Sequence, residues 1–551
     1  MGSLLNNALS GLMSTQKALS TTSHNISNAN TEGYSRQRVE MRAQLPADYG
    51  STGYIGNGTK VASVDRLYSD IVGKEMRGAI SEQSRVGYFS DVANRVDDAL
   101  GDSSLGLSST MSEFFGAAND VANDPSSIPA RQALIQEGES LATRFRTLDQ
   151  QLAAAEDQAN QRIRVGVENV NALSAELAAT NHKITNQASD QAQPNDLLDQ
   201  RDRLLNQLAQ EVDIQTLEQD NGSITVFTAN GQPWVMGDDS MTLSMDVDAS
   251  GEPAIYHQME AGAGEPRQEV TSRISGGAIG GALNVRNEVL VPARNDLGQI
   301  AERFVAAVNA QHLQGDDIDA DAADGGGNLF RLSVAPDVVA TEKNGSGSLE
   351  VEYDPASNLS QLGKEYTATY DQGAGEWTLS PAPNDGSSAT ISHPASGADF
   401  DGLSVTFSGT PQEGDEFQIR PRGVASGLEM AISDPREIAA SEAGGGSTNN
   451  RNMLELANLE TDATTIEGSQ SFGDAYAGLV QEIGTHARQA ETSRQAQDAL
   501  VGNLEGRRES LSGVNLDEEA ANLMRYQQAY QATARTISTA NQLFQSLLNA
   551  V

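Results

Sequence analysis

The chain has 551 residues and a formal net charge of -40 at pH 7, and its length is typical of roughly three or four domains. The negative charge repels nucleic-acid phosphates and anionic lipid headgroups, which argues against nucleic-acid binding and membrane-surface roles. No stretch approaches the ~20 apolar residues of a membrane-spanning helix, and the lack of cysteine excludes disulfides, thiolate metal sites and cysteine nucleophiles.

The first and last predicted elements are amphipathic helices with matching apolar patterns. The first helix has an apolar residue at every seventh position, at Leu5, Leu12, Leu19 and Ile26. The last helix repeats this spacing at Leu516, Leu523, Tyr530, Ile537 and Phe544. A second row follows four residues later in each helix, at Leu9, Gln16 and Ser23 and at Ala520, Gln527, Ala534 and Asn541. Two such rows predict the seam of a coiled coil, so we expect the chain ends to pair with each other or with further copies.

The two rows leave two interpretations open. A periodic apolar stripe is typical of the core of an ordinary helical bundle. Here, however, the stripes extend to the termini, where most chains fray. Up to Thr31 the only basic side chains are Lys17 and His24, so the first helix lacks the charged face of a solvated helix. This favours an assembly interface formed by the nine first-row residues, four on the first helix and five on the last.

The middle of the chain alternates between helical and strand patterns. A break at residues 28–36 leads into a glycine-containing extended region, and helical spacing resumes near Asp65. Residues 131–186 carry apolar residues at seven-residue spacing, typical of long antiparallel helices, and Pro194 begins a shorter helix. Alternating patterns then predict a small β domain over 212–275, followed by a helix over 276–313.

The remaining elements complete a mainly α fold with inserted β domains. An acidic, glycine-rich loop spans Gly315 to Asn328, and a second β region spans about 348–422. A linker at 442–450 leads into a helix of about fifty residues from Leu454 to Leu511. The predicted domains are a terminal coiled-coil domain with its adjoining loop, a long-helix bundle, a small β domain and an outer β-rich domain that contains the acidic loop. The terminal domain comprises residues 1–64 with 512–551, and the long-helix bundle comprises 65–211 with 276–313 and 446–511. The small β domain comprises 212–275, and the outer β-rich domain comprises 314–445.

No group of residues predicts catalytic, cofactor or metal chemistry. The six histidines fall in different predicted elements without ligand spacing, which favours structural or surface roles. In the acidic loop, an EF-hand beginning at Asp317 would place Ala322 where glycine is required and Asn328 where glutamate is required. The glycines at 276–281 lack the lysine of a P-loop, so we interpret them as the start of the next helix.

The two ends also contain recognisable motifs. Residues 25–36 read NISNANTEGYSR, and this segment resembles the N-terminal signature of bacterial flagellar rod, hook and hook-associated proteins, including Asn28, Asn30, Thr31, Gly33 and Tyr34. Residues 513–520 and 526–535 resemble the C-terminal signature of the same family. The segments 34–36, 309–312 and 328–330, together with the total length, resemble the members that lie between hook and filament.

The resemblance implies a structural subunit that joins the flagellar hook to the filament, without enzymatic activity or cofactors. It implies terminal helices that form an inner tube, β domains on the outside, and self-association in a ring. The expected partners are the hook protein, the second hook–filament junction protein and a cytoplasmic export chaperone that covers the C-terminal helix. The resemblance places the protein in the extracellular flagellum after type III export from the cytoplasm, which fits the lack of a Sec-type signal.

Two alternatives remain open at this point. The chain could be another axial protein, such as hook, distal rod or the second junction protein; Tyr34-Ser35-Arg36 and the large insert argue against this. It could also be an enzyme displayed on a flagellar scaffold, since fold and function need not coincide. Its activity would then reside in the region 348–422, where His393 is the only histidine.

Overall fold

The computed structural model describes most of the chain, namely residues 2–44, 47–48, 54–101, 106–187, 193–228, 231–248, 252–258, 267–319, 326–342, 344–353, 364–382, 388–400, 402–462 and 470–550. Residues 320–325 of the predicted acidic loop lie outside this part. The described residues form a mainly helical protein with inserted antiparallel β structure, which confirms the predicted fold class.

Helices from both ends of the chain enclose the β segments. The helices are α1 Gly2–Ser27, α2 Asp70–Gly101, α3 Leu107–Asn123, α4 Ile128–Gln187, α5 Asn195–Glu211, α6 Gly277–Val285, α7 Val291–His312, α8 Arg451–Asn458, α9 Phe472–Ser512 and α10 Leu516–Ala550. A π-helical turn at Arg286–Leu290 joins α6 to α7.

The segment with the longest predicted periodicity is one continuous helix, α4, of 60 residues. Its apolar positions pack into two successive cores, one shared with α3, α7 and α9 and one shared with α5 and α6. Gly138 and Gly166 allow other elements to pack closely against this helix. A Cβ atom would lie 2.5 Å from the Met430 sulfur at Gly138 and 2.5 Å from Ile279 Cγ1 at Gly166.

Two predicted helix boundaries were wrong. The expected helix from Leu454 to Leu511 is divided into α8 and α9. Helix α9 begins at a capping box in which the Asp474 amide donates to Ser471 Oγ at 3.2 Å and the Ser471 amide donates to Asp474 Oδ2 at 3.4 Å. Helix α2 begins at Asp70 rather than Asp65, because a strand continues to Arg66.

An aromatic cluster centred on Phe304 holds the helical body together. The Phe304 ring lies 5.2 Å from Phe330, 5.5 Å from Phe472 and 5.6 Å from Phe114, measured between ring centroids. These edge-to-face pairs join α7 to α3, to α9 and to the short strand Phe330–Leu332 of the outer β region. Residues far apart in the sequence therefore share one core.

The first β structures lie near the N-terminal motif and beside α4. Strands β1 Gln37–Ala43 and β4 Thr59–Arg66 form an antiparallel ribbon, and β2 Ala47–Asp48 pairs with β3 Tyr54–Ile55. In the small β region the four-stranded sheet contains β5 Ile214–Glu218, β6 Ile224–Thr228, β7 Pro233–Met236 and β8 Asp239–Ser240. A three-stranded sheet contains β9 Thr242–Val247, β10 Pro253–Gln258 and β11 Gln268–Glu269.

The outer β region begins and ends in paired short strands. Strand β12 Gly315–Asp316 pairs with β23 Ser441–Glu442, and β13 Phe330–Leu332 pairs with β22 Leu428–Met430. The five-stranded sheet, in spatial order β14-β21-β16-β17-β18, contains β14 Asp337–Glu342, β16 Glu365–Asp371, β17 Glu376–Ala382, β18 Ala389–Ser392 and β21 Glu416–Arg420. The three-stranded sheet, in order β15-β20-β19, contains β15 Ser348–Tyr353, β19 Ala395–Phe400 and β20 Leu403–Ser408.

His312 connects the end of α7 to both margins of the outer β region. The ring Nδ1 donates to the Gly327 carbonyl at 2.7 Å, and Nε2 accepts from the Ala439 amide at 2.8 Å. One turn earlier, Asn309 Oδ1 accepts from the Leu329 and Phe330 amides, each at 2.9 Å. The histidine is fully buried and has a structural role, and burial lowers its pKa to about 4.

The buried histidine predicts a pH-dependent stability. The unfolded imidazole has a pKa of about 6.5, so between pH 6.5 and 4 the unfolded chain binds a proton that the folded chain does not. We therefore expect His312 to lower the free energy of unfolding by up to about 3 kcal/mol as the pH falls across this range. Urea titrations at a series of pH values measure how the free energy of unfolding changes with pH.

The matched substitutions are His312→Gln and His182→Gln, since His182 is exposed. The His312 variant should be less stable at pH 7 and lose part of the acid-induced decline, because its side chain does not titrate. In the His182 variant, the free energy of unfolding should fall with pH as it does in the unmodified chain. Equal slopes for the His312 variant and the unmodified chain would contradict the assignment.

Candidate assembly site

Helices α1 and α10 form an antiparallel pair at the two chain ends. A Cβ atom on Gly11 would lie 3.2 Å from Thr533 Cγ2, and at the other end of the pair Asn25 Nδ2 donates to Glu519 Oε2 at 3.0 Å. The positions buried on α1 are mostly small, namely Ala8, Ser14, Ala18, Thr21, Thr22 and Asn25. Small side chains allow close approach of α1 to α10 and to the β1–β4 ribbon.

In the single chain the two predicted rows do not form one buried stripe, and the assembly interface that they predict stays a prediction. The first row is half-buried at Leu5, Leu12, Leu19, Ile26, Leu523, Tyr530 and Ile537, whereas Leu516 and Phe544 are exposed. In the second row Ala534 is half-buried, and Leu9, Gln16, Ser23, Ala520, Gln527 and Asn541 are exposed. Small residues adjacent to the predicted rows occupy the buried positions instead.

Large apolar side chains consequently remain on the surface of the pair. Leu9 is 46% exposed and Met13 is 64% exposed on α1, while Met524 is 58% exposed on α10. From residue 2 to 31 the only side chain with a full charge at pH 7 is Lys17. Helix α10 has Asp517, Glu518 and Glu519 in its first turn and after that only Arg525 and Arg535. Nearly all of the negative charge therefore lies outside the two helices.

A partly buried hydrogen-bond cluster connects the N-terminal motif to the end of α1. Tyr34 donates from its hydroxyl to Asn25 Oδ1 at 2.8 Å, and the Gln37 amide donates to the same oxygen at 3.0 Å. Asn25 Nδ2 donates to the Gln37 carbonyl at 2.9 Å. Burial, and next the carboxylates of Asp196, Asp199 and Glu519, raise the pKa of Tyr34, so its hydroxyl stays protonated and can donate.

Arg36 connects this cluster to the start of α10. Its guanidinium contacts Glu518 at 2.8 Å and Glu519 at 2.7 Å, and its amide donates to the Ser512 carbonyl at 2.9 Å. Glu519 is almost fully buried, and its carboxylate is satisfied by donors from Arg36, Asn25 and Asn522. The two ends of the chain are thus joined by a charged contact as well as by helix packing.

The motif is also attached to helix α5. The Ser35 amide donates to Asp199 Oδ2 at 3.1 Å, and Arg66 contacts Asp199 at 2.7 Å and Asp202 at 2.8 Å. Burial raises the pKa of Asp199 despite the opposing effect of Arg66. One loop therefore positions the terminal pair relative to the helical body.

The other motif residues shape the loop itself. Asn28 Nδ2 donates to the His24 carbonyl at 3.0 Å, and the Thr31 amide donates to the Asn28 carbonyl at 2.9 Å. Gly33 has φ of 74°, and a Cβ atom there would lie 2.4 Å from Arg203 Cγ, so glycine is required. Asn30 and Thr31 are exposed.

The site prediction named Tyr34 but missed Asn25, Arg36, Glu518 and Glu519 as the residues that connect the two motifs. Opposite charges in the two signatures were the available signal: Arg36 closes the N-terminal motif, and two glutamates follow Leu516. Their pairing across nearly the whole chain length could not be read from spacing. Within the described ranges no group of three or more His, Asp or Glu residues is arranged to hold a metal ion. In the same ranges no helix is long and apolar enough to cross a bilayer.

Family profiles match the chain in three places. The profile described as the flagellar hook-associated protein FlgK helical domain matches residues 93–330. The profile for the flagella basal body rod protein matches residues 5–34, and that for the flagellar basal body rod FlgEFG protein C-terminal region matches 508–550. The terminal matches contain the helix pair and most of the motif residues described above.

Relatives align along the whole chain. Flagellar hook-associated protein 1 of Escherichia coli (strain K12) is 35% identical over 558 residues, with 100% of both chains covered. The protein of the same name from Bacillus subtilis (strain 168) is 25% identical and covers 99% of this chain and 98% of its own. A solved structure, the flagellar hook junction protein FlgK from Burkholderia pseudomallei, has a TM-score of 0.68 at 24% identity and covers 80% of this chain and 100% of its own. The chain therefore belongs to the flagellar hook-associated protein 1 family, and it is a structural protein of the hook–filament junction rather than an enzyme.

Proposed function

We propose that the α1–α10 pair is the surface through which copies of this chain pack side by side in a ring. The observation that supports this most directly is the row of large apolar side chains left exposed on the pair, including Leu9, Met13 and Met524. Contiguous exposed apolar surface is typical of interaction sites. The low charge of both helices favours a second copy as the occupant, because like-charge repulsion at the contact is small.

The nine first-row residues form the margin of this surface. Leu516 and Phe544 are exposed, and the seven others are half-buried, so each retains apolar area for a neighbouring helix. Burial of a large apolar side chain contributes roughly 1.5 to 3 kcal/mol. Several such side chains per copy would suffice to hold a ring whose members are weak partners individually.

The proposed ring lies between the hook protein on one side and the second hook–filament junction protein on the other. The four domains take the residue bounds given under Sequence analysis, with the terminal pair innermost and the outer β-rich domain outermost. The order of elements along the chain supports this arrangement. Helices α1 and α10 are the first and last elements and pair with each other, whereas the outer β strands are inserted in the middle, between α7 and α8.

Before assembly, the chain leaves the cytoplasm through the flagellar type III apparatus with a chaperone on its C-terminal helix. A chaperone at α10 would cover Met524, Leu543 and Phe544, which are exposed and prone to premature association. Undiminished chaperone binding after deletion of 516–551 would exclude this helix as the binding site.

The surface predicts the behaviour of a double variant, Leu9→Asn with Met13→Asn. We expect it to bind the tips of bare flagellar hooks on the order of 100-fold more weakly than the unmodified chain, because two apolar side chains can no longer be buried between copies. Electron microscopy of hooks incubated with a concentration series of each protein counts the capped tips.

Gln16→Asn is the matched control, because Gln16 is an exposed polar residue on the same helix. The control should cap hooks like the unmodified chain, and circular dichroism should show equal helix content in all three proteins. If the double variant caps hooks as well as its control, the contact between copies uses another surface.

A further inference from the structure

The two β regions and the helical body meet at a single arginine. Arg422 follows the last strand of the five-stranded sheet, where the outer β region returns to the helices. Its NH2 lies 2.6 Å from Glu156 Oε1 on α4. Its NH1 contacts Glu252, next to β10 of the small β region, and lies 3.6 Å from Asp337 Oδ2 at the start of β14. One guanidinium thus contacts all three parts of the protein.

The surroundings of Arg422 hold it in a fixed position. A Cβ atom on Gly298 would lie 1.8 Å from the Pro421 carbonyl oxygen, so only glycine on α7 allows the returning strand to approach this closely. Gly423 then turns the chain with φ of 83°. The backbone on both sides of Arg422 is therefore constrained by close contact and by a left-handed turn.

The charges around Arg422 depend on it for balance. Arg294 contacts Glu156 at 2.9 Å and Asp149 at 3.3 Å, so Arg294 and Arg422 form ion pairs with four carboxylates: Asp149, Glu156, Glu252 and Asp337. The Arg286 guanidinium adds a third positive charge that acts on Glu156 and Glu252. Asp149 and Glu156 are almost fully buried. Without Arg422, carboxylates from three parts of the protein would repel one another in a partly desolvated space.

We propose that Arg422 is a positioning residue that fixes the direction in which the two β regions project from the helical body. Each region also has polar attachments to the helices, including Asn171 on α4 with Leu243 in the small β region and Tyr353 with Glu302 on α7 in the outer region. Arg286 NH1 donates to the Pro253 carbonyl at 3.0 Å, and Asn295 Nδ2 donates to Glu365 Oε1 at 3.2 Å. Among the ion pairs of the described residues, however, those that link one β region to the other involve Arg422. The relative orientation of the two regions is therefore the quantity that Arg422 controls.

The test measures distances between the two regions. Because the natural sequence has no cysteine, Leu217→Cys and Thr390→Cys introduce two spin labels without background, one on β5 and one on β18. Both positions are exposed. Double electron–electron resonance should give a narrow distance distribution for the labelled chain. In the Arg422→Gln background we expect the distribution to widen by at least about twofold, because the linking ion pairs are lost and carboxylates repel.

Two further variants separate orientation from general damage. Arg331→Gln removes an exposed ion pair with Glu429 at the base of the same outer region and should leave the distribution narrow. Glu252→Gln removes the ion pair to the small β region while leaving Glu156 paired with both arginines, so it should also widen the distribution. Circular dichroism of each variant checks that its domains remain folded.

Arg422→Lys provides the conservative comparison, since the ammonium group keeps the positive charge but lacks the planar, five-donor fork that spans Glu156 and Glu252 at once. Its distribution should lie between those of the unmodified chain and Arg422→Gln. A distribution that stays narrow in folded Arg422→Gln and Glu252→Gln would overturn the proposal. Equal widening in Arg331→Gln would also overturn it, because the effect would then not be specific to the joint.

Discussion

Phe304→Ala is expected to lower the free energy of unfolding of the helical body by about 4 kcal/mol, a large fraction of the stability of a typical domain. The ring is fully buried and contacts Phe114, Phe115, Phe330 and Phe472. Its removal leaves a cavity where α3, α7, α9 and the base of the outer β region meet. Guanidinium titrations followed by far-UV circular dichroism measure the loss.

Phe544→Ala is the control for this measurement. The same substitution is made there on a side chain that is 53% exposed, so it should change the stability of the monomer by less than about 0.5 kcal/mol. Similar midpoints for both variants would mean that the aromatic cluster does not hold the body together. A change confined to the transition of the outer β region would mean that the cluster stabilises that region rather than the helices.

Arg36→Ala is expected to release the terminal pair while the helical body stays folded. Glu519 would keep a buried charge with only the neutral amide donors of Asn25 and Asn522, and breaking such a pair costs about 3 kcal/mol. We expect amide exchange in α1 and in the first turns of α10 to accelerate on the order of 100-fold, with exchange in α4 unchanged. Hydrogen–deuterium exchange with peptide-level mass spectrometry measures both helices in one experiment.

Arg38→Ala is a close control, because Arg38 is exposed on β1, two residues after Arg36, and pairs with Glu40 at 3.1 Å. Its exchange should match that of the unmodified chain. Adding Glu519→Gln to Arg36→Ala should recover part of the protection, since the unpaired buried charge is removed. Equal exchange in the two single-arginine variants would show that helix packing alone docks the termini.

Much of the fold could be predicted because apolar spacing is local information. Alternation at Tyr366, Tyr370, Trp377 and Leu379 predicted half-buried strands, and all four residues are buried in the outer β core. The division between α8 and α9 was missed, because a capping box of only two side chains, Ser471 and Asp474, decides it within a helical pattern.

The candidate site was less predictable, since its contacts are set by tertiary packing. Periodicity identified the correct helices but placed the large apolar residues at the buried contact, where Gly11 and Ala18 allow a closer approach. The contact of Arg36 with Glu519 joins residues more than 480 positions apart, which no local pattern encodes. Only the three-dimensional structure brings the two motifs together.

Because paired strands connect the outer β region to the helical body, that region can be replaced as a unit. Leu332, where β13 ends, lies opposite Leu428, where β22 begins, so the chain leaves and rejoins the body at neighbouring points. Paired strands are only about 5 Å apart, a gap that a two-residue turn can close. Farther out, Asp337 at the start of β14 lies opposite Arg420 at the end of β21. Loss, enlargement or exchange of the strands beyond that pair would require no change in the path of α7 or α8, so the outer surface can diverge in size and shape while the helical body is retained.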